Sequence, residues 1–368
     1  MKHIAILTLL SAILLTFAHS APHARAAQPT VSKPDWTPVE CPMEIPARYK
    51  VECGMVTVPE DHNSSDGPSI RLAVAVVHSS GDAPAPDPLL FINGGPGART
   101  LDSMSLWLET LSLGPLLAKR DIIFFDQRGT GYSQPALVCS EFPSTNPLVS
   151  LQHIASLTAC RDRLVESGIN LGAYTSAQNG ADIAALREAL GYERWNLYGV
   201  SYGARIALTT LRDHPEGVRS VVLDAITPIE ANLLLEDPVY AQRALRHLFV
   251  ACRADPICRI AYPDVEHIYD ELVNDVAKNP ISLEITNAKT GATRIEELNG
   301  AMLNGTVLGM LGSPEAAGIP GLIYELQAGN YAPIVADLES AWEAEEAISG
   351  KPAPVGAQLA MICGEEAP

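Results

Sequence analysis

The sequence predicts an α/β chain: a mostly parallel sheet with helices on both faces, interrupted late by a helical insertion. Three observations predict it. Short apolar runs bounded by Gly, Pro and Asp recur up to Asp224, helical periodicities alternate with them, and beyond Thr227 helix follows helix. With 368 residues, 47% of them apolar, the chain can bury a large core as one domain or as a domain with an insert.

Residues 1–20 read as a secretory signal peptide. Met1-Lys2-His3 precedes the apolar run Ile4–Ala18, which is too short to span a bilayer comfortably. Ala18-His19-Ser20 offers a cleavage site and Ala24-Arg25-Ala26 a second. No other segment reads as transmembrane, so the expectation is an exported protein, periplasmic or extracellular, with no stable membrane span after cleavage. Residues 27–50 are rich in Pro and polar residues and read as an irregular arm tied down by Cys41. Met55–Val58, Ile70–His78, Leu89–Asn93 and Ile122–Asp126 read as strands, with Asp61–Asp66 as a turn and Gly81–Pro88 as a stiff loop. Helices over Leu151–Ser167 and Asn179–Leu190 lead to a strand at Trp195–Gly199, a helix from Tyr202 and a strand at Val218–Leu223.

The insertion reads as helices over Val239–Cys252, Val265–Lys278, Leu298–Met310, Ala317–Gln327 and Tyr331–Ile348. Ile281–Ile285 and Thr293–Glu297 are weak strand candidates within it. The expected division is a core over 27–225, a helical cap over 226–355, and a return to the core over 356–368.

Seven cysteines in an exported chain point to disulfides rather than metal, since none stands in C-x-x-C and no His-x-x-x-His lies nearby. Pairing neighbours joins Cys41 to Cys53, Cys139 to Cys160 and Cys252 to Cys258, and leaves Cys363 over; spacing alone does not fix that connectivity. The net charge of −18, with no basic stripe, argues against nucleic acid as a partner. It suits solubility after export and also substrates that carry a free amino group.

Three motifs carry chemistry. Gly199-Val200-Ser201-Tyr202-Gly203 stands between a strand and a helix, the context of a nucleophile elbow. There the turn holds Ser201 strained and exposed, and side chains two positions away would collide with neighbouring backbone. Leu90-Phe91-Ile92-Asn93-Gly94-Gly95-Pro96-Gly97 follows an earlier strand, where glycine N–H groups can approach a substrate oxygen. A phosphate-binding loop is the alternative, but the Gly-Lys-Ser/Thr ending and the full G-x-G-x-x-G are both missing. Asp126-Gln127-Arg128-Gly129-Thr130-Gly131-Tyr132-Ser133 follows the next strand.

In this order and spacing the three motifs resemble the proline iminopeptidase and tripeptidyl-aminopeptidase branch of the α/β-hydrolases, closely from Cys41 to Asp224 and loosely through the insertion. The resemblance implies an eight-stranded, mostly parallel sheet, a helical cap over the site, no metal or organic cofactor, and removal of residues from peptides with free N-termini. It implies Ser201 as nucleophile, the backbones of Gly94, Gly95 and Tyr202 as oxyanion hole, and Asp126 and Arg128 as braces of the adjoining turn. Glu365 and Glu366, in the segment resembling the re-entry to the core, are the implied holders of the substrate ammonium. Asn93 stands where many relatives have His, a change the backbone donors tolerate.

In this fold an acid and a histidine follow the nucleophile. The last histidine here is His267, inside the insertion, and no Asp follows Asp337. His214, His247 and His267 read as surface or core residues, and Asp224 without a histidine does not activate serine. Two more strand–helix units of roughly 30 residues each are needed for the pair, so the expectation is a truncated chain. Its last core strands would be missing, and alone it would be nearly inactive and prone to aggregate. The rival readings are an esterase or amidase of the same fold and a non-catalytic binding protein or decayed enzyme.

Overall fold

The computed structural model describes residues 34–64, 66–111, 113–141, 154–348 and 354–367. The signal-peptide reading of residues 1–20 lies outside the described residues, as do 151–153 of the helix expected from Leu151.

Seven strands form the main sheet: β1 (Trp36–Val39), β2 (Val51–Pro59), β3 (Ser69–Val77), β4 (Leu89–Ile92), β5 (Ile122–Phe125), β6 (Trp195–Val200) and β7 (Val218–Asp224). Their order is β1-β2-β3-β5-β4-β6-β7, antiparallel from β1 to β5 and parallel from β5 through β4 and β6 to β7. The resemblance implied an eight-stranded sheet; among the described residues the main sheet has seven strands, with β7 at one edge and Val222 on it 47% exposed. β1 corrects the reading of 27–50 as irregular. Pro38 lacks an N–H, but β1 is an edge strand and tolerates it, pairing through Trp36–Val39 with Cys53–Val56 of β2.

β4 and β5 are buried from end to end, which explains why they read as unbroken apolar runs. Successive side chains point to opposite faces of the sheet. Leu90, Ile92, Ile123 and Phe125 therefore meet Ile183, Leu186 and Ile206, while Leu89, Phe91, Ile122 and Phe124 meet Leu101, Met104, Leu108 and Leu117. The first face is covered by α4 (Ser176–Ala189) and α5 (Tyr202–Asp213), the second by α1 (Met104–Thr110) and α2 (Gly114–Leu117); α3 (Ile154–Glu166) lies between α2 and α4 in sequence.

The insertion builds a second core. It comprises α6 (Leu233–Ala254), α7 (Pro256–Ala261), α8 (Val265–Lys278), the hairpin β8 (Ile281–Thr286) and β9 (Thr293–Leu298), α9 (Gly300–Leu311), α10 (Ile319–Gln327) and α11 (Ala332–Ile348). Phe249, Tyr269, Leu303, Val307 and Ile323 lie at its centre. α6 starts at Leu233, earlier than the periodicity suggested, because the side chain of Asn232 accepts a bond from Leu235 N–H and caps it. α12 (Val355–Glu365) then packs on the main domain, with Met361 among the side chains of the sheet's first face.

The neighbour pairing of cysteines holds: Cys41–Cys53, Cys139–Cys160 and Cys252–Cys258 are bonded, and Cys363 is free and exposed. Among the described residues no helix is long and apolar enough to cross a membrane.

Candidate active site

Parallel register brings the three motif loops together. Phe91 of β4 stands opposite Phe124 of β5 and Tyr198 of β6, so the loops beginning at Asn93, Asp126 and Ser201 leave the carboxyl ends of adjacent strands. That edge is where parallel α/β sheets bind ligands.

Ser201 joins β6 to α5 with φ 57° and ψ −121°, a conformation that costs about 1–3 kcal/mol and persists only where its surroundings impose it. They do. Its N–H donates to Asp224 O (2.8 Å) and its carbonyl accepts from Ala204 N–H (2.9 Å). A Cβ on Gly203 would lie 2.1 Å from Ile92 O, so that position excludes any side chain. Gly94 approaches the serine itself: a Cβ there would lie 2.8 Å from Ser201 Cβ and 3.3 Å from its Oγ. Gly94 N–H donates to Asn93 Oδ1 (2.8 Å), and Gln127 Nε2 donates to Asn93 O (2.7 Å), which ties the glycine loop to the loop after β5. With the Gly94 donor engaged by Asn93, Gly95 N–H and Tyr202 N–H are the remaining oxyanion candidates.

Asp126 and Arg128 are both fully buried. Asp126 accepts from Leu101 N–H (3.0 Å) and Tyr132 N–H (2.8 Å), pinning the glycine loop's exit to the turn at Tyr132. Burial pushes its carboxyl up to about 6, against the pull of those N–H groups. The folded form therefore keeps its proton where the unfolded form, with a value near 4, has lost it. This contribution to stability is complete below about pH 4 and lost as pH rises through about 6. The stability advantage of wild type over Asp126→Asn is expected to shrink by roughly 2 kcal/mol between about pH 4.5 and 7.5, read from urea midpoints. An unchanged gap means the carboxylate is ionised throughout.

Arg128 runs beneath the same turn. Its Nε and Nη2 donate to the two oxygens of Asp182 (2.8 and 2.7 Å), and Nη1 donates to Ala173 O (2.6 Å). His62 Nε2 lies 2.8 Å from Asp182 Oδ1, so this buried carboxylate holds two partners. Sequence reasoning missed Asp182; the signal was a charge inside the apolar face of the helix that became α4.

Glu365 and Glu366 end α12. Glu366, buried, pairs with Arg205 of α5 and accepts from Leu233 N–H (2.7 Å) at the start of α6. Glu365 accepts from Tyr202 OH (2.5 Å), from Ser176 Oγ (3.0 Å) and from Ser176 N–H. Both carboxylates thus have internal partners. Ser176 and Arg205 carried no motif in the sequence.

No described histidine contacts Ser201. His62 binds Asp182, His78 lies 3.5 Å from both Glu52 and Asp121, and His267 pairs with Glu271 along α8. His214 sits at the far end of α5, about 20 Å along the helix from Ser201. His247 lies on α6. Asp224 is beside the elbow, but its carboxylate accepts from Tyr198 OH (2.8 Å).

The chain is similar to several known proteins. Serine protease Hip1 of Mycobacterium tuberculosis strain H37Rv is 31% identical over 236 residues, covering 57% of this chain and 44% of that protein. Tripeptidyl aminopeptidase of Streptomyces lividans is 30% identical over 225 residues, covering 55% and 39%. Carboxylesterase B of the same Mycobacterium strain is 28% identical over 251 residues, covering 62% and 47%. The chain thus matches less than half the length of each of these relatives. The profile of the α/β hydrolase fold family matches residues 87–293, from the strand before the glycine loop into the insertion. A chain matched by that profile over residues 87–293, more than half of its length, belongs to the α/β-hydrolase fold family.

Proposed function

We propose that the protein is an exported serine aminopeptidase that releases N-terminal residues from peptides through an acyl-enzyme on Ser201. The observation that carries this reading is the strained Ser201 held against the Gly94 backbone. Three disulfides support export. Residues 27–225 serve as the catalytic core, 226–355 as its cap and 356–368 as the return to the core.

Ser201 Oγ attacks the scissile carbonyl and its proton passes to a histidine base. The charge on the carbonyl oxygen is taken by Gly95 N–H and Tyr202 N–H, each such donor worth about 3–4 kcal/mol. The carbon–nitrogen bond breaks, the leaving amine takes the proton, and water releases the acyl group. No described histidine faces Ser201, so that base lies outside the described residues.

The likeness to carboxylesterase B supports a second reading, an esterase or amidase on the same site. An aminoacyl p-nitroanilide compared with its N-acetylated form separates the two. The aminopeptidase is expected to lose at least about 100-fold in kcat/KM on the blocked compound, since an unpaired amine site costs on the order of 3 kcal/mol. Equal rates favour the esterase.

A further inference from the structure

Every motif loop of the site meets one element that none of the motifs contains. On α12, Gln358 Cβ lies 3.1 Å from where a Cβ of Gly97 would stand, and Ala357 Cβ lies 3.1 Å from the same point at Gly129. The helix ends with Glu365 bound to the hydroxyl of Tyr202, the residue after the nucleophile. It begins beyond the match of the family profile, which ends at 293.

We propose that α12 is a positioning element of the active site and that Glu365 is its positioning residue, acting through Tyr202 on the oxyanion donor. Tyr202 is buried, and its hydroxyl meets two groups, Glu365 Oε2 at 2.5 Å and Ser176 Oγ at 2.7 Å. Ser176 also gives its N–H and hydroxyl to Glu365. As Ser176 is the first residue of α4, the carboxylate sits at that helix's N-terminus, where backbone N–H groups and the dipole favour an anion. Arg205 Nη1, one turn further along α5, is 3.7 Å from Glu365. One carboxylate thus joins α4, α5 and α12 around a single side chain. That side chain belongs to the residue whose N–H must point at the oxyanion, and a displacement near 1 Å at such a point costs about 100-fold in rate.

This role differs from that of an ammonium holder. A holder of the substrate amine affects only substrates that have one, chiefly through KM; a strut behind the oxyanion donor affects kcat on every acyl substrate.

The test uses the full-length protein with an aminoacyl p-nitrophenyl ester and its N-acetylated counterpart. Glu365→Gln and Tyr202→Phe are each expected to lower kcat about 10- to 100-fold on both esters, with KM within about two-fold. The double variant is expected to lose no more than the worse single one, because both cut the same strut. Tyr202→Phe removes one oxygen only, which guards against misfolding. A rise in KM confined to the free-amine ester, or kcat within about two-fold of wild type on both, overturns the proposal. The inference rests on Ser201 as nucleophile, and Ser201→Ala in the same assay separates the failures. If turnover survives Ser201→Ala, the hydrolase reading falls; if it is lost there but kept in Glu365→Gln, only the strut falls.

Discussion

Ser201→Ala is expected to abolish the hydrolysis of aminoacyl esters and anilides, with a loss on the order of 10⁶ in kcat where a histidine works on the serine. The expectation rests on backbone geometry rather than on the motif alone. A non-glycine residue at φ 57° persists only where neighbours impose it, and Asp224 O, Ala204 N–H and the close approach of Gly94 impose it here. The size of the loss is informative in itself. The oxyanion hole and binding, together worth about 10³–10⁴ over water, survive removal of the serine, so a site already working without a histidine loses little in Ser201→Ala. Fluorophosphonate labelling followed by peptide mass spectrometry checks the residue directly, since the adduct must sit on Ser201. Labelling at another serine, or a loss below about ten-fold, removes Ser201 from the chemistry.

What could be read in advance follows the range of the interactions involved. β4, β5 and β6 are buried strands and announce themselves as apolar runs, and the loops that follow them carry Gly and Asp at positions a tight turn requires. The disulfides join near neighbours and could be paired by proximity. β1 could not be read, because Trp36-Thr37-Pro38-Val39 is a short, mostly exposed edge strand with no alternation and a Pro inside it. The supports of the site escaped for a different reason. Ser176 and Glu365 lie 189 positions apart, and Arg205 and Glu366 lie 161 apart. Periodicity reports which face of an element is buried, not which polar group waits there. The acidic pair at 365 and 366 was visible as chemistry, whereas the partners that decide its use were not.

Arg128→Ala is expected to destabilise the protein by about 3–5 kcal/mol, the largest stability effect of any single change considered. The guanidinium is fully buried, and it is the fork that Asp182 needs, with two parallel bonds of 2.8 and 2.7 Å. Without it Asp182 keeps, among the described residues, only His62 as an ionic partner, and a buried carboxylate is left largely uncompensated. Arg128→Lys is not expected to rescue, because an ammonium cannot reproduce the bidentate geometry or also reach Ala173 O. The double change Arg128→Met with Asp182→Leu is expected to recover most of the loss, since it removes both charges and leaves apolar volume in their place. Thermal and urea midpoints of the four proteins test the set. If Arg128→Ala and the double variant prove equally unstable, the cost lies in the lost bonds to Glu60, Ala173 and Pro59 rather than in the stranded charge. Arg128 would then hold the turn after β5 through backbone carbonyls, and Asp182 would serve mainly to orient it.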